Sequence, residues 1–284
     1  MTIFQSIPSS GVQRDQQSEF SGASVVYDGE ILARGVPIGE FVGNLSFIEM
    51  IFFQLQARRP TPNEARMTEA YLVSLCEHGV TSPSTHGPRV TASVRAPFAS
   101  AAIGFISTAM GSYHFGALEL AMEELLEIEE SAETPECFLE RRASCGRRVW
   151  GYGHRFHKST NEPDPQRSVA ENADPRVRRL IEFAEELDWS GQHLATVREI
   201  GHLLCERKGI PINIDGIAAA ILLDMGFTPN SAMMFVILGR LPNIARLYEE
   251  EQQYSPNRFT GLSTNTDPGF DRMIDRDIEG GNPS

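Results

Sequence analysis

The sequence predicts a nearly all-α protein with one small β-hairpin near its N-terminus. Three observations carry this. From Gly43 onward apolar residues recur at helical spacing. Capping residues and prolines punctuate that pattern at short intervals, as at Ser46, Thr61-Pro62 and Thr228-Pro229. Two short β-prone runs, residues 23–27 and 30–34, flank Asp28-Gly29, the pattern of a tight hairpin.

Taken in order, residues 1–20 are polar, lack the apolar stretch of a signal peptide, and are expected to be flexible. After the hairpin, Ser46 and Glu49 form a capping box for a helix with an apolar stripe of Phe47, Ile48, Ile51, Phe52 and Leu55, which Pro60 stops. Thr61-Pro62-Asn63-Glu64 opens the next helix, running to about Glu77 and leaving His78-Gly79 at its end. Residues 89–110 are rich in Ala, Ser and Gly and read as a deeply buried helix or a subunit interface. Helices are expected over 118–130, 176–187, 193–208 and 217–225, with turns or loops at 131–135 and 163–175. A further helix starts at Thr228-Pro229, is interrupted at Gly239-Arg240-Leu241-Pro242, and resumes over 243–253. The chain from Ser255 is rich in Gly, Asn, Asp and Pro and is expected to be irregular.

The 284 residues carry a net charge of −13 with 41% hydrophobic residues, enough for a sizeable core. That charge excludes nucleic acid or an anionic membrane as the main partner, since both require broad positive surfaces. Four cysteines occur without CxxC pairs or zinc-like spacing, so reduced thiols in a cytoplasmic protein without a metal are expected. No apolar run is long enough to span a membrane.

Against this acidic background one segment is basic. Arg141, Arg142, Arg147 and Arg148 precede Gly151-Tyr152-Gly153-His154-Arg155-Phe156-His157-Lys158. A histidine on a Gly-x-Gly turn among cations suits acid/base chemistry beside a polyanionic ligand, with a solvated basic loop as the plainer alternative. Two further titratable groups sit at breaks between helices: His114 between glycines, and Asp215 just before a helix. Two imidazoles and a carboxylate suffice for carbon–carbon chemistry next to a carbonyl. Plainer roles stand beside these: an N-cap for Asp215, a core histidine for His114, a helix end for His78. His86, His157, His193 and His202 read as structural or exposed.

The chain resembles the citrate synthase superfamily from about Val25 to Gly261. Gly-Tyr-Gly-His-Arg looks like its signature. Gly111-Ser112-Tyr113-His114-Phe115-Gly116-Ala117 is similar to its His-Gly-Gly-like site, Asn213-Ile214-Asp215 to its Asn-Val-Asp, and Gly35-Val36-Pro37-Ile38 to its Arg-Gly-Tyr-Pro-Ile opening. The resemblance implies a mostly helical homodimer with a large domain (21–140 and 211–262), a small domain (141–210) and an irregular tail (263–284). It implies Asp215 as the base at the acetyl-CoA methyl, His114 at the thioester oxygen, and His154 at the oxaloacetate oxygen. His78, Arg176, Arg240 and Arg258 become substrate-binding residues, and Arg147, Arg148, Arg155 and Lys158 hold coenzyme A. Of two candidates for the family's Asp-Pro-Arg, Asp174-Pro175-Arg176 is intact, whereas Asp164-Pro165-Gln166-Arg167 has Gln where Arg is needed. Residues 159–173 then read as an insertion.

Two departures bear on the activity. After the aspartate, full citrate synthases look like Asp-Phe-Tyr-Ser-Gly, whereas this chain has Asp215-Gly216-Ile217-Ala218-Ala219. Their C-terminal Arg-Pro motif becomes Ser255-Pro256-Asn257-Arg258. The Asn-Ile-Asp-Gly version is most like the citryl-CoA lyase branch. The expected activity is retro-Claisen cleavage of citryl-CoA to acetyl-CoA and oxaloacetate, with a CoA thioester as substrate, no tightly bound cofactor, and a separate CoA ligase as partner. Citrate or 2-methylcitrate synthase and an inactive CoA-binding scaffold are the alternatives.

Overall fold

The computed structural model of the protein describes residues 25–27, 29–79, 82–155, 157 and 168–253. Among them a three-stranded antiparallel sheet precedes eleven α-helices. The sheet has one strand more than the expected hairpin. β1 (Val25–Tyr27) pairs with β2 (Glu30–Ala33) in the register Val25↔Leu32 to Tyr27↔Glu30, with Gly29 at φ +80° in the turn. Asp28 lies outside the described residues. β3 (Val36–Pro37) folds back on β2 because Arg34 and Gly35 take positive φ of 50° and 80°, the paired left-handed angles of a two-residue hairpin turn. The Arg34 guanidinium donates to Gln54 O at 2.6 and 3.0 Å, tying the sheet to the first helix.

That helix, α1 (Phe47–Gln56), starts at the Ser46–Glu49 capping box but ends before Pro60, at Ala57, which is left-handed at φ 55° and donates to Phe53 O. Ile51, Phe52 and Phe53 are buried, whereas Phe47 and Leu55 are exposed, so the stripe is narrower than expected. α2 (Pro62–Leu75) follows its own capping box at Thr61 and Glu64. The small-residue segment is two helices, α3 (Pro83–Ser93) and α4 (Phe98–Ala109), because Arg95 takes φ 61° and Pro97 cannot continue a helix. The glycines let these two pack closely: a Cβ on Gly87 would lie 3.0 Å from Gly104 O. Val90, Val94, Ile103 and Met110 remain exposed on this pair.

α5 (Gly116–Ser131) is followed by an unexpected helix, α6 (Pro135–Ser144), capped by Thr134 with proline in its first turn. The signal was the one read at Thr61-Pro62, but charged residues obscure its apolar stripe. A short α7 (Val169–Asn172) lies in the segment expected to be loop. α8 (Pro175–Glu186), α9 (Gln192–Lys208), α10 (Ile214–Asp224) and α11 (Pro229–Gln252) complete the order.

α10 is the axis of the core. Every side chain from 217 to 222 is at most 1% exposed, as befits a helix that is apolar all round, and it packs on α5, α8 and α9. α11 runs unbroken through Pro242, correcting the expected interruption. Gly239 serves contact instead of a turn: a Cβ there would come within 2.8 Å of Leu75 and 2.9 Å of Leu72 O on α2. Packing along α11 compensates for the one N–H that Pro242 lacks. Among the described residues no single helix is long and apolar enough to cross a membrane.

Candidate active site

The glycine turn and the start of α10 are joined backbone to backbone. Tyr152 pairs with Ile212 in an antiparallel bridge, Gly153 N donates to Pro211 O at 2.7 Å, and Asn213 N donates to Gly151 O at 3.1 Å. Gly151 and Gly153 hold φ of 85° and 78°, angles that other residues adopt only with strain. A Cβ on Gly216 would sit 2.3 Å from Gly151 O, so neither chain tolerates a side chain at the crossing. Asn213 completes the junction. Its Oδ1 accepts from Asp215 N (2.9 Å) and Gly216 N (3.2 Å), capping α10, and its Nδ2 donates to Gly153 O at 2.9 Å. The N-cap is therefore Asn213, which leaves the Asp215 carboxylate free of that plainer role. Asp215 sits in the first turn of α10 and His154 follows Gly153, so one amide holds both side chains at one place.

His114 arrives from another direction. Gly111 O accepts from His114 N (2.8 Å) and Gly116 N (3.2 Å), which fixes the turn into α5, and a Cβ on Gly116 would meet Met110 O at 2.4 Å. The imidazole stacks on Phe115 with ring centroids 4.4 Å apart, and its Nε2 lies 2.7 Å from Ser84 Oγ of α3. Ser84 is fully buried and tied to Ser82 at 3.1 Å. No pattern in the sequence marked Ser84 as part of the site, and Asn213 was visible only as the first residue of the Asn-Ile-Asp motif.

His78 follows α2 and faces His154 edge-on at 5.6 Å between ring centroids. Arg176, at the start of α8, is clamped by Asp174: Nε and Nη2 donate to its carboxylate at 3.0 and 2.7 Å, while the buried Nη1 has no partner. Arg240 on α11 is fully buried, and none of its three nitrogens has a hydrogen-bond partner. Its guanidinium lies over the Phe115 ring at 5.2 Å. Buried donors of a charged group are normally satisfied, so these arginines are suited to an acceptor that a ligand brings.

His78, His114, His154, Arg176 and Asp215 all line one cavity of about 520 Å³, with Arg148 and Arg155 also on its wall. Burial sets the electrostatics. It lowers His78 to about 3, reinforced by Arg176 and Arg240, and His114 to about 4, reinforced by Arg240. Burial, then His157, lowers His154 to about 4. Burial raises Asp215 to about 7 although Arg176 opposes it, and lowers Arg240 to about 10 with Arg176 adding to the effect. Near neutral pH the cavity therefore holds three neutral imidazoles, a carboxyl poised between its two forms, and fixed guanidinium charge.

Of the residues assigned to coenzyme A, Arg148 reaches from the first cavity into a second of about 530 Å³, which Arg147 also lines. The Arg148 guanidinium lies 5.6 Å from the Tyr113 ring and 5.0 Å from the Trp150 ring. Arg141 does not join this group, pairing with Glu127 and Glu133 at 2.9 and 2.8 Å, and Arg142 lines the second cavity with its charge paired to Glu124. Lys158, Arg167 and Arg258 lie outside the described residues. His193 bonds Asp224 at 2.9 Å and His202 bonds Glu171 at 3.1 Å. His157 stacks on His154 at 4.4 Å, closer to the site than its sequence suggested, and His86 has a buried Nδ1 without a partner. Among the described residues no three His, Cys, Asp or Glu side chains are grouped to hold a metal ion.

Comparison with known proteins adds to this geometry. The family described as citrate synthase, C-terminal domain, matches residues 21–259. The structure of citryl-CoA lyase from Hydrogenobacter thermophilus is similar at a TM-score of 0.73 and 31% identity, over 93% of this chain and 94% of that one. Citrate synthase from Haloferax volcanii is 27% identical over 224 residues, 77% of this chain and 56% of that protein. ATP citrate lyase from Methanosaeta concilii, solved with (3S)-citryl-CoA, shares the fold at a TM-score of 0.69 and 17% identity, over 92% of this chain and 41% of that one. The chain spans about half the length of the curated citrate synthases it matches.

Proposed function

The chain belongs to the citrate synthase family, and from that premise we propose that it is a citryl-CoA lyase-like enzyme acting by retro-Claisen cleavage. His154 takes the proton of the citryl C3 hydroxyl as the adjacent C–C bond breaks. The bonding electrons pass into the thioester as an enolate whose oxygen His114 holds, and protonated Asp215 delivers a proton to its carbon. Acetyl-CoA and oxaloacetate result, His154 is left protonated and Asp215 ionised, and proton exchange with solvent returns both to their resting forms before the next turnover. His78 and Arg176 on the cavity wall, with Arg240 fully buried and off that wall, hold the carboxylates of the four-carbon half, and the unpartnered guanidinium donors of the two arginines support this. Coenzyme A lies along Arg148 and Arg155, with Arg147 in the second cavity.

The observation that carries cleavage over condensation is the likeness to a citryl-CoA lyase over nearly the whole of both chains, and the crossing of Gly216 and Gly151 accords with it. At the position where citrate synthases resemble Asp-Phe, this backbone leaves no room for even a Cβ. The resting protonation agrees, because a carboxyl raised to about 7 and an imidazole lowered to about 4 are the acid and base that cleavage starts from. One contact favours condensation as the second reading. His154 Nδ1 accepts from His157 N at 3.2 Å, which leaves the hydrogen of a neutral ring on Nε2, the form that would donate to a ketone oxygen.

The test is direct. Supplied citryl-CoA should yield acetyl-CoA and oxaloacetate without free thiol. Steady release of free CoA from acetyl-CoA and oxaloacetate would instead establish the synthase. A separate CoA ligase that forms citryl-CoA is the partner this reading calls for. A homodimer through α3 and α4 is part of the same proposal, supported by their exposed Val90, Val94, Ile103 and Met110.

A further inference from the structure

Glu77 borders the site without lining the cavity, and its carboxylate bonds in two directions. Oε1 accepts from the backbone N–H groups of His78 (2.9 Å) and Gly79 (2.8 Å). Oε2 accepts from Asn243 Nδ2 (2.9 Å) and Arg246 Nη2 (2.8 Å), both on α11. The first pair fixes the turn that aims the His78 imidazole, in which Gly79 takes φ +68°. The second pair reaches the helix that carries Arg240, one turn before Asn243. Asn243 is 3% exposed, and its Oδ1 stays buried without a partner. The amide is thus oriented toward Glu77 at the cost of leaving its own acceptor unpaired.

The same carboxylate is the strongest anionic influence on Arg240. Burial and Arg176 both act against the Arg240 charge, and Glu77 is the first group that favours it. Glu77 itself stays below the usual carboxylate range: burial works the other way, but the two backbone N–H groups and Arg246 outweigh it.

We propose that Glu77 is a positioning residue for the carboxylate-binding half of the site, setting the His78 turn and the Arg240 helix at a fixed spacing. This rests on the reading that a four-carbon acid occupies the cavity. A helix-end clamp alone would affect stability and both ligands together. A positioning role is selective for the acid, because coenzyme A is held by the basic residues after Gly146.

Calorimetric titration of the full chain with oxaloacetate and, separately, with coenzyme A distinguishes these. Glu77→Gln keeps an acceptor for the two backbone N–H groups but turns an amide against the donors of Asn243 and Arg246. It should weaken oxaloacetate about tenfold or more while coenzyme A affinity and Tm stay near wild type. Arg246→Ala removes the exposed partner of the same carboxylate without touching the turn, and should weaken oxaloacetate about threefold, which keeps the test decisive if Glu77→Gln fails to fold. Unchanged oxaloacetate affinity in a folded variant overturns the inference. So does a parallel loss of both ligands with a fall in Tm. Wild-type protein that binds no oxaloacetate overturns the proposed function, and this inference with it.

Discussion

Asp215 has a pKa of about 7 against an ordinary 3.8, chiefly through burial. The folded state therefore binds the extra proton between those values, so this group's contribution to stability is complete below about 4 and is lost as pH rises through about 7. Asp215→Asn should raise Tm at pH 8 relative to wild type while lowering kcat by roughly 10²–10⁴-fold, read by calorimetry and product assay. An unchanged kcat would remove the proton-donor role. The proposed cleavage requires protonated Asp215 and neutral His154, and on that proposal kcat/KM for citryl-CoA should fall above about pH 7 and below about pH 4. Arg240 calls for the same double measurement. Its charge is buried and unpaired, so Arg240→Met should stabilise the unliganded protein by about 1–3 kcal/mol and abolish oxaloacetate binding. A variant that loses stability would mean that the guanidinium has a partner in the empty protein.

Between elements, the crossing of the glycine turn with α10 is the junction to probe. Gly216→Ala puts a methyl 2.3 Å from Gly151 O, and should cost about 1–3 kcal/mol in urea titration and lower kcat, because His154 and Asp215 move apart. Asn213→Ala removes the cap of α10 and the bond to Gly153, and should cost about 1–2 kcal/mol. The sequence made the cap boxes at Ser46 and Thr61 legible because they depend on four consecutive residues. His114, His154 and Asp215 were legible as residues at helix breaks, and as neighbours only through the family resemblance, because backbone pairing between 151–153 and 211–213 is nonlocal. Ser84 was hidden for the same reason. The unbroken α11 was missed because Gly239 looks locally like a helix breaker, and only its contact with α2 shows that it is a packing residue.

Across the whole molecule, the lowered histidines set the acid limit. Their contribution to stability is complete above about 6.5 and is lost as pH falls through about 4 for His114 and His154 and about 3 for His78. Thermal melts should therefore show an acid decline that His78→Gln shifts to lower pH. The nearly all-α architecture was legible from periodicity alone, whereas the third strand depended on two left-handed angles at Arg34 and Gly35 that the local pattern does not announce. The crossing at Gly151 and Gly216 has a mechanical consequence. Because Asn213 rivets that crossing, the imidazole at 154 and the carboxyl at 215 travel as one rigid jaw. Any opening of the cavity must then occur against its other side, where the rings at 78 and 114 are carried by separate elements, after α2 and before α5.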